Sequence, residues 1–365
     1  MRRLLIAAAL AAGGAMLAAP LATAAPTVTP GNQLSTFSQG TAAHFNPDSV
    51  TSGRGFVYIG YQNATPSDGS SNLSSTIVQY RMNGTLVRTW SVLGKNDGLR
   101  LNPFTGKLWA TRNEDDKPGL TVIDPVTGAQ ADYTITPSHG GGYDDLAFTH
   151  QGTFVVASAP TLTGAHVPAI QRITSLAGGV AHLETVLFDD STAVDRTTGK
   201  TVTLALSDPD SLWITAKGEL ALTAQADRQV IFIKNPGRPA QTNQVVNVTA
   251  AGAPDELDDS AVATSREGFF LVVDHDTNTT YKLTKAGGFT RGQAYTQAPK
   301  GSPLAGIVGT FNTHTGTVSP VVSGFGNPTG LLFVPTDEGD SDHQGGDGGD
   351  GHGDSGSSGD SGANN

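Results

Sequence analysis

Five aspartates stand at near-constant intervals along the chain: Asp48, Asp97, Asp145, Asp210 and Asp259, separated by 49, 48, 65 and 49 residues. Each leads a short apolar stretch, a glycine-containing turn and a second apolar stretch. An antiparallel hairpin returns to the side on which it starts, so the residues that lead the first strand and trail the second share one end. The trailing positions add Asn63, Asn113, Glu114, Asp115, Asp116, Gln225, Asp227, Asp274, His275 and Asp276. Further acids, Asp144, Asp208, Glu256 and Asp258, adjoin the leaders. Two unit charges about 4 Å apart at an effective dielectric near 20 interact by about 4 kcal/mol. Carboxylates gathered this way must be separated by solvent, protonated or bound to a cation. The chain has no cysteine, so the available ligands are hard oxygens, which suit Ca²⁺ or Mg²⁺. The candidate metal ligands are Asp48, Asp97, Asp145, Asp210, Asp259, Glu114, Asp227 and Asp274, with Ca²⁺ as the expected ion. A structural alternative stays open: an Asp ahead of a strand also accepts backbone N–H bonds in a turn.

Three histidines accompany these acids. His139 precedes three glycines that run into Tyr143, Asp144 and Asp145; His275 lies between Asp274 and Asp276; His44 lies just before Asp48. A bound cation polarises an ester, lactone or phosphoester oxygen, and His139 or His275 is the candidate general base that activates water. No Gly-x-Ser-x-Gly elbow, phosphate-binding Gly-rich loop or His-Glu-x-x-His pattern offers another chemistry. Phosphate as substrate fits less well than a lactone, because Arg100 and Arg112 are the main basic groups near the expected site. Non-catalytic binding of a ligand or protein remains the alternative.

The elements that must position these groups are strands. Residues 77–80 turn at Asn83-Gly84 into residues 86–90, and residues 121–123 turn at 124–128; both read as hairpins. An extra hairpin around residues 197–200 fills the long interval. Each unit of about 50 residues supplies four antiparallel strands, the size of a propeller blade. The fold class is therefore all-β, a β-propeller of six four-stranded blades, with five or seven left open. Two β-sandwiches would not explain the near-constant spacing. The fifth copy pairs residues 259–262 with 268–272 as a hairpin. Closure of the ring needs an N-terminal strand near residues 34–37 and a hairpin over 308–322 turning at 312–316.

Two segments carry a resemblance. Residues 97–110 and residues 327–334, the latter reading Asn-Pro-Thr-Gly-Leu-Leu-Phe-Val, look like inner hairpins of NHL-type propellers. They are also similar to the wider superfamily of gluconolactonases, paraoxonases and the senescence-marker lactonase. The likeness is one of repeat pattern and covers most of residues 40–335. It implies a propeller, a calcium site mixing Glu, Asn and Asp, and lactone or ester hydrolysis.

Composition bounds the rest. Of 365 residues, 46 are Gly and 20 Pro, 37% are hydrophobic, and the net charge is -11. That charge argues against nucleic acid as a partner. Residues 1–24 combine two arginines, an Ala-rich apolar run and Ala22-Thr23-Ala24, and read as a secretory signal peptide. Residues 336–365 hold 10 Gly and 8 acids with no Lys or Arg, and read as a disordered, solvating tail. The propeller domain is expected over residues 25–335. The chain is expected to be a secreted monomer, periplasmic or extracellular, acting on a small molecule or an envelope ligand. No second apolar run is long enough to cross a membrane.

Overall fold

The computed structural model describes residues 25–136, 141–157 and 166–336. The expected signal peptide, His139 and the acidic tail from residue 337 onward lie outside the described residues. Among the described residues every regular element is a strand, and the strands form five sheets. No helix of the described residues is long and apolar enough to cross a membrane.

Burial falls from the inside of each sheet outward, which explains the local sequences. Second strands such as Phe56–Tyr61 and Leu220–Ala224 are apolar almost throughout, because neighbouring sheets cover both their faces. Outer strands such as Leu86–Leu93 and Gln130–Ile135 present mostly exposed residues.

The first unit is a meander of Pro47–Gly53, Phe56–Tyr61, Ser74–Arg81 and Leu86–Leu93. A second runs from Asn96–Leu101 to Gln130–Ile135 and a third from Tyr143–Thr149 to Val180–Phe188. Short parallel pairing of their outer strands, Thr134 with Val180 and Ile135 with Ala181, joins these two into one eight-stranded sheet. The fourth unit comprises Pro209–Ile214, Leu220–Ala224, Gln229–Lys234 and Thr242–Asn247. The hairpin of Thr192–Asp195 and Thr201–Thr203 pads its outer edge, where the sequence places an insertion.

The last two units are interleaved, and this corrects the fifth expected hairpin. Ser260–Val262 pairs with Ala294–Ala298, and Ile307–Phe311 and Thr317–Ser323 complete that unit. Gly268–Asp274 pairs instead with Pro328–Pro335 and with Thr279–Lys285. The inner strand after Asp259 is three residues long, whereas Pro328–Pro335 offers seven partners to Gly268–Asp274. The longer ladder buries more backbone and apolar surface than the local hairpin could. Closure uses the N-terminal segment: Asn32–Gln39 is the outer strand on Thr279–Lys285, and Thr27–Val28 caps Thr317–Ser323. The hairpin turning at residues 312–316 also forms, within the fifth unit.

The inner strands of successive units contact one another in turn, and the last, Pro328–Pro335, contacts the first, Pro47–Gly53. This closed ring around a central channel is the layout of a β-propeller. Between the units lie separate apolar clusters. Trp213 meets Phe232 and Phe311 edge-on, and Tyr58 and Trp90 pack with Leu99 and Leu108. Trp109 stands edge-on to Phe148, and Phe333 packs against Phe270 and Phe289. Each such buried apolar side chain contributes about 1.5–3 kcal/mol.

Candidate functional site: an acidic channel mouth

At their N-terminal ends the inner strands are irregular. The register of the inner hairpins slips between Pro47 and Val50, Asn96 and Leu99, Tyr143 and Leu146, and Pro209 and Ser211. Such bulges break the two-residue alternation and re-aim side chains. They fall on four of the five leading aspartates, Asp48, Asp97, Asp145 and Asp210. A hydroxyl from one unit then clamps the aspartate backbone of the next. Ser49 donates to the Asp97 carbonyl and Thr111 to that of Asp144. Ser211 Oγ donates to the Asp258 carbonyl at 3.0 Å, and Thr329 Oγ1 to that of Asp48 at 3.4 Å.

With the backbones held, eight carboxyl groups line one cavity of about 280 Å³: Asp48, Asp97, Glu114, Asp144, Asp145, Asp210, Asp258 and Asp259. Two basic side chains, Lys95 and Arg100, oppose them, and no apolar side chain lines the cavity. Lys95 Nζ lies 3.2 Å from Asp97 Oδ1 and also bonds Glu114 Oε1. Deeper in the channel Arg100 Nη2 donates to Asp145 Oδ2 at 2.6 Å and to Asp259 Oδ1 at 3.4 Å. Backbone N–H groups complete that pair, Leu212 to Asp145 at 3.0 Å and Leu331 to Asp259 at 3.2 Å. Gln62 Nε2 donates to Asp97 Oδ1 at 2.8 Å. Asp97 Oδ2 and Asp145 Oδ1 are buried without a hydrogen-bond partner, on residues only 4% exposed. Among the described residues, carboxylate oxygens of Asp97, Glu114 and Asp144 lie within 4.8 Å of one another. That spread suits shared ligation of an ion with Ca–O distances of about 2.3–2.6 Å.

Burial and crowding raise the carboxyls above the ordinary carboxylate range. Desolvation, partly offset by Lys95 and increased by Glu114 and Asp259, pushes Asp48 up to about 7. Desolvation likewise raises Asp97 to about 6, and desolvation with the Asp97 charge raises Glu114 to about 8. Asp145 rises to about 6 through desolvation despite Arg100. Asp144, Asp210 and Asp258 stand well above the carboxylate range through desolvation and then their acidic neighbours. Asp259 is also raised by burial. Desolvation opposes the charge of Lys95, yet Asp97, Glu114 and Asp48 outweigh it and hold the ammonium protonated.

The structure brings together six of the eight candidate ligands: Asp48, Asp97, Asp145, Asp210, Asp259 and Glu114. Asp227 and Asp274 stand apart from the cavity lining. Asp227 accepts the N–H groups of Ser207 and Asp208 at 2.8 and 3.1 Å. Asp274, wholly buried, accepts those of Gly326 and Asn327 at 2.9 and 2.8 Å and fixes the entry to the last inner strand. His275 is at the cavity, with Nδ1 3.4 Å from Asp276 Oδ1. His44 is buried against Tyr61, away from the lining. Sequence reasoning missed Lys95 and Gln62 as members of the site. Lys95 had a signal: a cation two residues ahead of a leading aspartate, at the start of the same turn.

No protein-family model matches this chain, and no curated protein matches it. Solved structures of similar layout include a protein of unknown function from Bacteroides caccae, at 10% identity and TM-score 0.49, covering 79% of this chain and 86% of that one. The periplasmic gluconolactonase PpgL of Pseudomonas aeruginosa is similar at 13% identity and TM-score 0.45, covering 79% and 88%. A virginiamycin B lyase from Staphylococcus aureus is similar at 12% identity and TM-score 0.41, covering 69% and 99%. At these values nothing about the chemistry of this chain follows from the likeness.

Proposed function

We propose that this chain is a six-bladed, exported propeller that holds one divalent cation, Ca²⁺, at its acidic mouth and hydrolyses a small polar ester or lactone there. The observation that carries this reading is the imbalance of eight carboxyl groups against two basic side chains, with buried Asp97 and Asp145 oxygens left unpartnered. Asp97, Glu114 and Asp144 are the ligands the geometry favours. A cation held by them supplies Lewis-acid polarisation of a carbonyl oxygen. In this reading His275, which borders the cavity beside Asp276, is the base that accepts a proton from water. A lining without apolar side chains favours a small, oxygen-rich substrate over a long acyl chain.

One observation favours a non-catalytic binding role for the same mouth. The Asp276 carboxylate that faces His275 is engaged by Lys300 at 2.7 Å, which weakens its hold on the imidazole.

The test is calorimetric titration of the full chain with CaCl₂ and MgCl₂ after dialysis against EDTA, with the variant D97N/D144N as control. A tight site lost in the variant supports the reading, and the acidic tail is common to both proteins. A screen of esters and lactones at saturating Ca²⁺ then separates the two roles. His275→Ala is expected to lose turnover and keep Ca²⁺ affinity; no turnover in the parent protein leaves a binding role. Absence of a tight site, with no change in melting temperature on adding Ca²⁺, overturns the cation reading.

A further inference from the structure

Lys95 occupies an unusual position for a cation. Its backbone is fixed from both sides, because its N–H donates to Asn113 Oδ1 at 3.0 Å and its carbonyl accepts the Asn113 N–H at 2.8 Å. Gly94, at φ +88°, makes the turn that brings it there. The mobile part is therefore the four-carbon side chain, which is 18% exposed and has a route to solvent. Its ammonium contacts Asp97 and Glu114, two of the three acids whose oxygens gather within 4.8 Å. The buried Asp97 Oδ2 makes no hydrogen bond, which leaves a carboxyl oxygen available beside the lysine.

We propose that Lys95 is a tethered counter-ion: its ammonium stands among the oxygens that ligate the divalent cation, and the cation binds by displacing it. This rests on the cation reading above and adds what sets affinity and selectivity. An ammonium brings one positive charge and three donors. A Ca²⁺ ion brings twice the charge and takes six to eight oxygens. Exchange therefore gains charge only for a divalent ion, and Na⁺ or K⁺ gains none. Because the lysine stays attached to the rim, its return is intramolecular and acts as a high local concentration of competitor. Lys95 thus weakens Ca²⁺ binding while excluding monovalent ions.

The experiment compares the wild-type full chain with Lys95→Met, Lys95→Gln and Lys95→Arg. All are dialysed against EDTA and titrated with CaCl₂ in low and in high KCl. Removing a unit charge this close to the site is expected to tighten Ca²⁺ binding by about tenfold or more in the Met and Gln variants. It should also make that binding more sensitive to KCl. Lys95→Arg should stay near the wild type. In EDTA the Met and Gln variants should melt below the wild type, and Ca²⁺ should raise them by more. Lys95→Gln keeps a polar side chain and serves where Lys95→Met does not fold. If the wild type binds Ca²⁺ and the folded variants bind it equally or more weakly, the counter-ion proposal is overturned while the cation reading stands. If no protein in the series binds Ca²⁺, both fall. Binding by the variants alone supports the proposal.

Discussion

The two ends of the central channel are built from the same strands and have opposite character. At one end eight carboxyl groups line a cavity with no apolar side chain. At the other, a cavity of about 300 Å³ is lined by Phe148, Leu212, Trp213, Leu331 and Phe333 among others. Arg100 borders both, and its guanidinium bridges Asp145 and Asp259 between them. One strand can serve both ends because its geometry changes along its length. Tyr143–Thr149 carries Asp144 and Asp145 in its bulged start and Phe148 in its regular end. Pro209–Ile214 does the same with Asp210 and Trp213. The regular part follows the packing demand of neighbouring sheets. The bulged part escapes it and can collect charge.

Breaking the boundary between the ends is the largest effect expected. Arg100→Met leaves Asp145 and Asp259 buried without their cation, and loss of one partner of such a pair costs about 3–5 kcal/mol. Chemical unfolding at pH 7 should show that loss. Adding Asp145→Asn to Arg100→Met should recover part of it, because a neutral amide replaces the unpaired charge. A loss below about 1 kcal/mol, typical of exposed pairs, would mean that solvent already reaches both carboxylates and that the channel is not divided there.

The pH dependence sharpens the same contrast. Asp48, Asp97, Asp145 and Glu114 have folded-state values of about 7, 6, 6 and 8, above their ordinary 3.8 to 4.5. The folded chain therefore holds more protons than the unfolded chain across this window, and stability falls as pH rises. The contribution is complete below about pH 4 and is lost as pH climbs through about 6 to 8. In EDTA the melting temperature should be higher at pH 5 than at pH 8. Saturating Ca²⁺ should flatten or reverse that slope, since a bound cation favours the ionised carboxyls. A slope that Ca²⁺ leaves untouched would separate the acids from any cation site.

Much of this arrangement was legible in the residues. The spacing of Asp48, Asp97, Asp145, Asp210 and Asp259 reported one structural position repeated around a ring, and all five reach the cavity. What the residues could not report was pairing between distant segments. Residues 259–262 and 268–272 look like every other inner hairpin, yet Gly268–Asp274 pairs with Pro328–Pro335. A local pattern specifies a strand and its buried face, and here the partner comes from the distant segment Pro328–Pro335. Asp274 stands apart from the cavity lining for a related reason. It trails a strand as Glu114 does, but the last inner strand brings the N–H groups of Gly326 and Asn327 onto it, so its oxygens are spent on backbone. Bulges were equally hidden: they let both Asp144 and Asp145 line the cavity, where strict alternation would turn one of them away.

The smallest effect concerns the hydroxyls that hold the acidic end together. Ser211 Oγ reaches across to the Asp258 carbonyl, and Ser49 makes the same contact to Asp97. Ser211→Ala removes one neutral hydrogen bond, a net loss of about 0.5–1.5 kcal/mol. That the loss should stay near the low end follows from position: Asp258 borders a polar cavity, where water can take over its carbonyl. The two serines lie on different units, so their effects should add within about 0.3–0.5 kcal/mol if each interface acts alone. A double variant S49A/S211A losing clearly more than the sum would mean that the ring yields as a whole once two clamps are gone. Calcium titration distinguishes the cases further. Independent clamps should leave Ca²⁺ affinity within a few-fold in each single variant, because Gln62 still holds the Asp97 side chain and Thr111 the Asp144 backbone. A coupled ring should lose affinity sharply only in the double variant, because the oxygens of one cluster come from different strands and keep their spacing only while those strands stay in register.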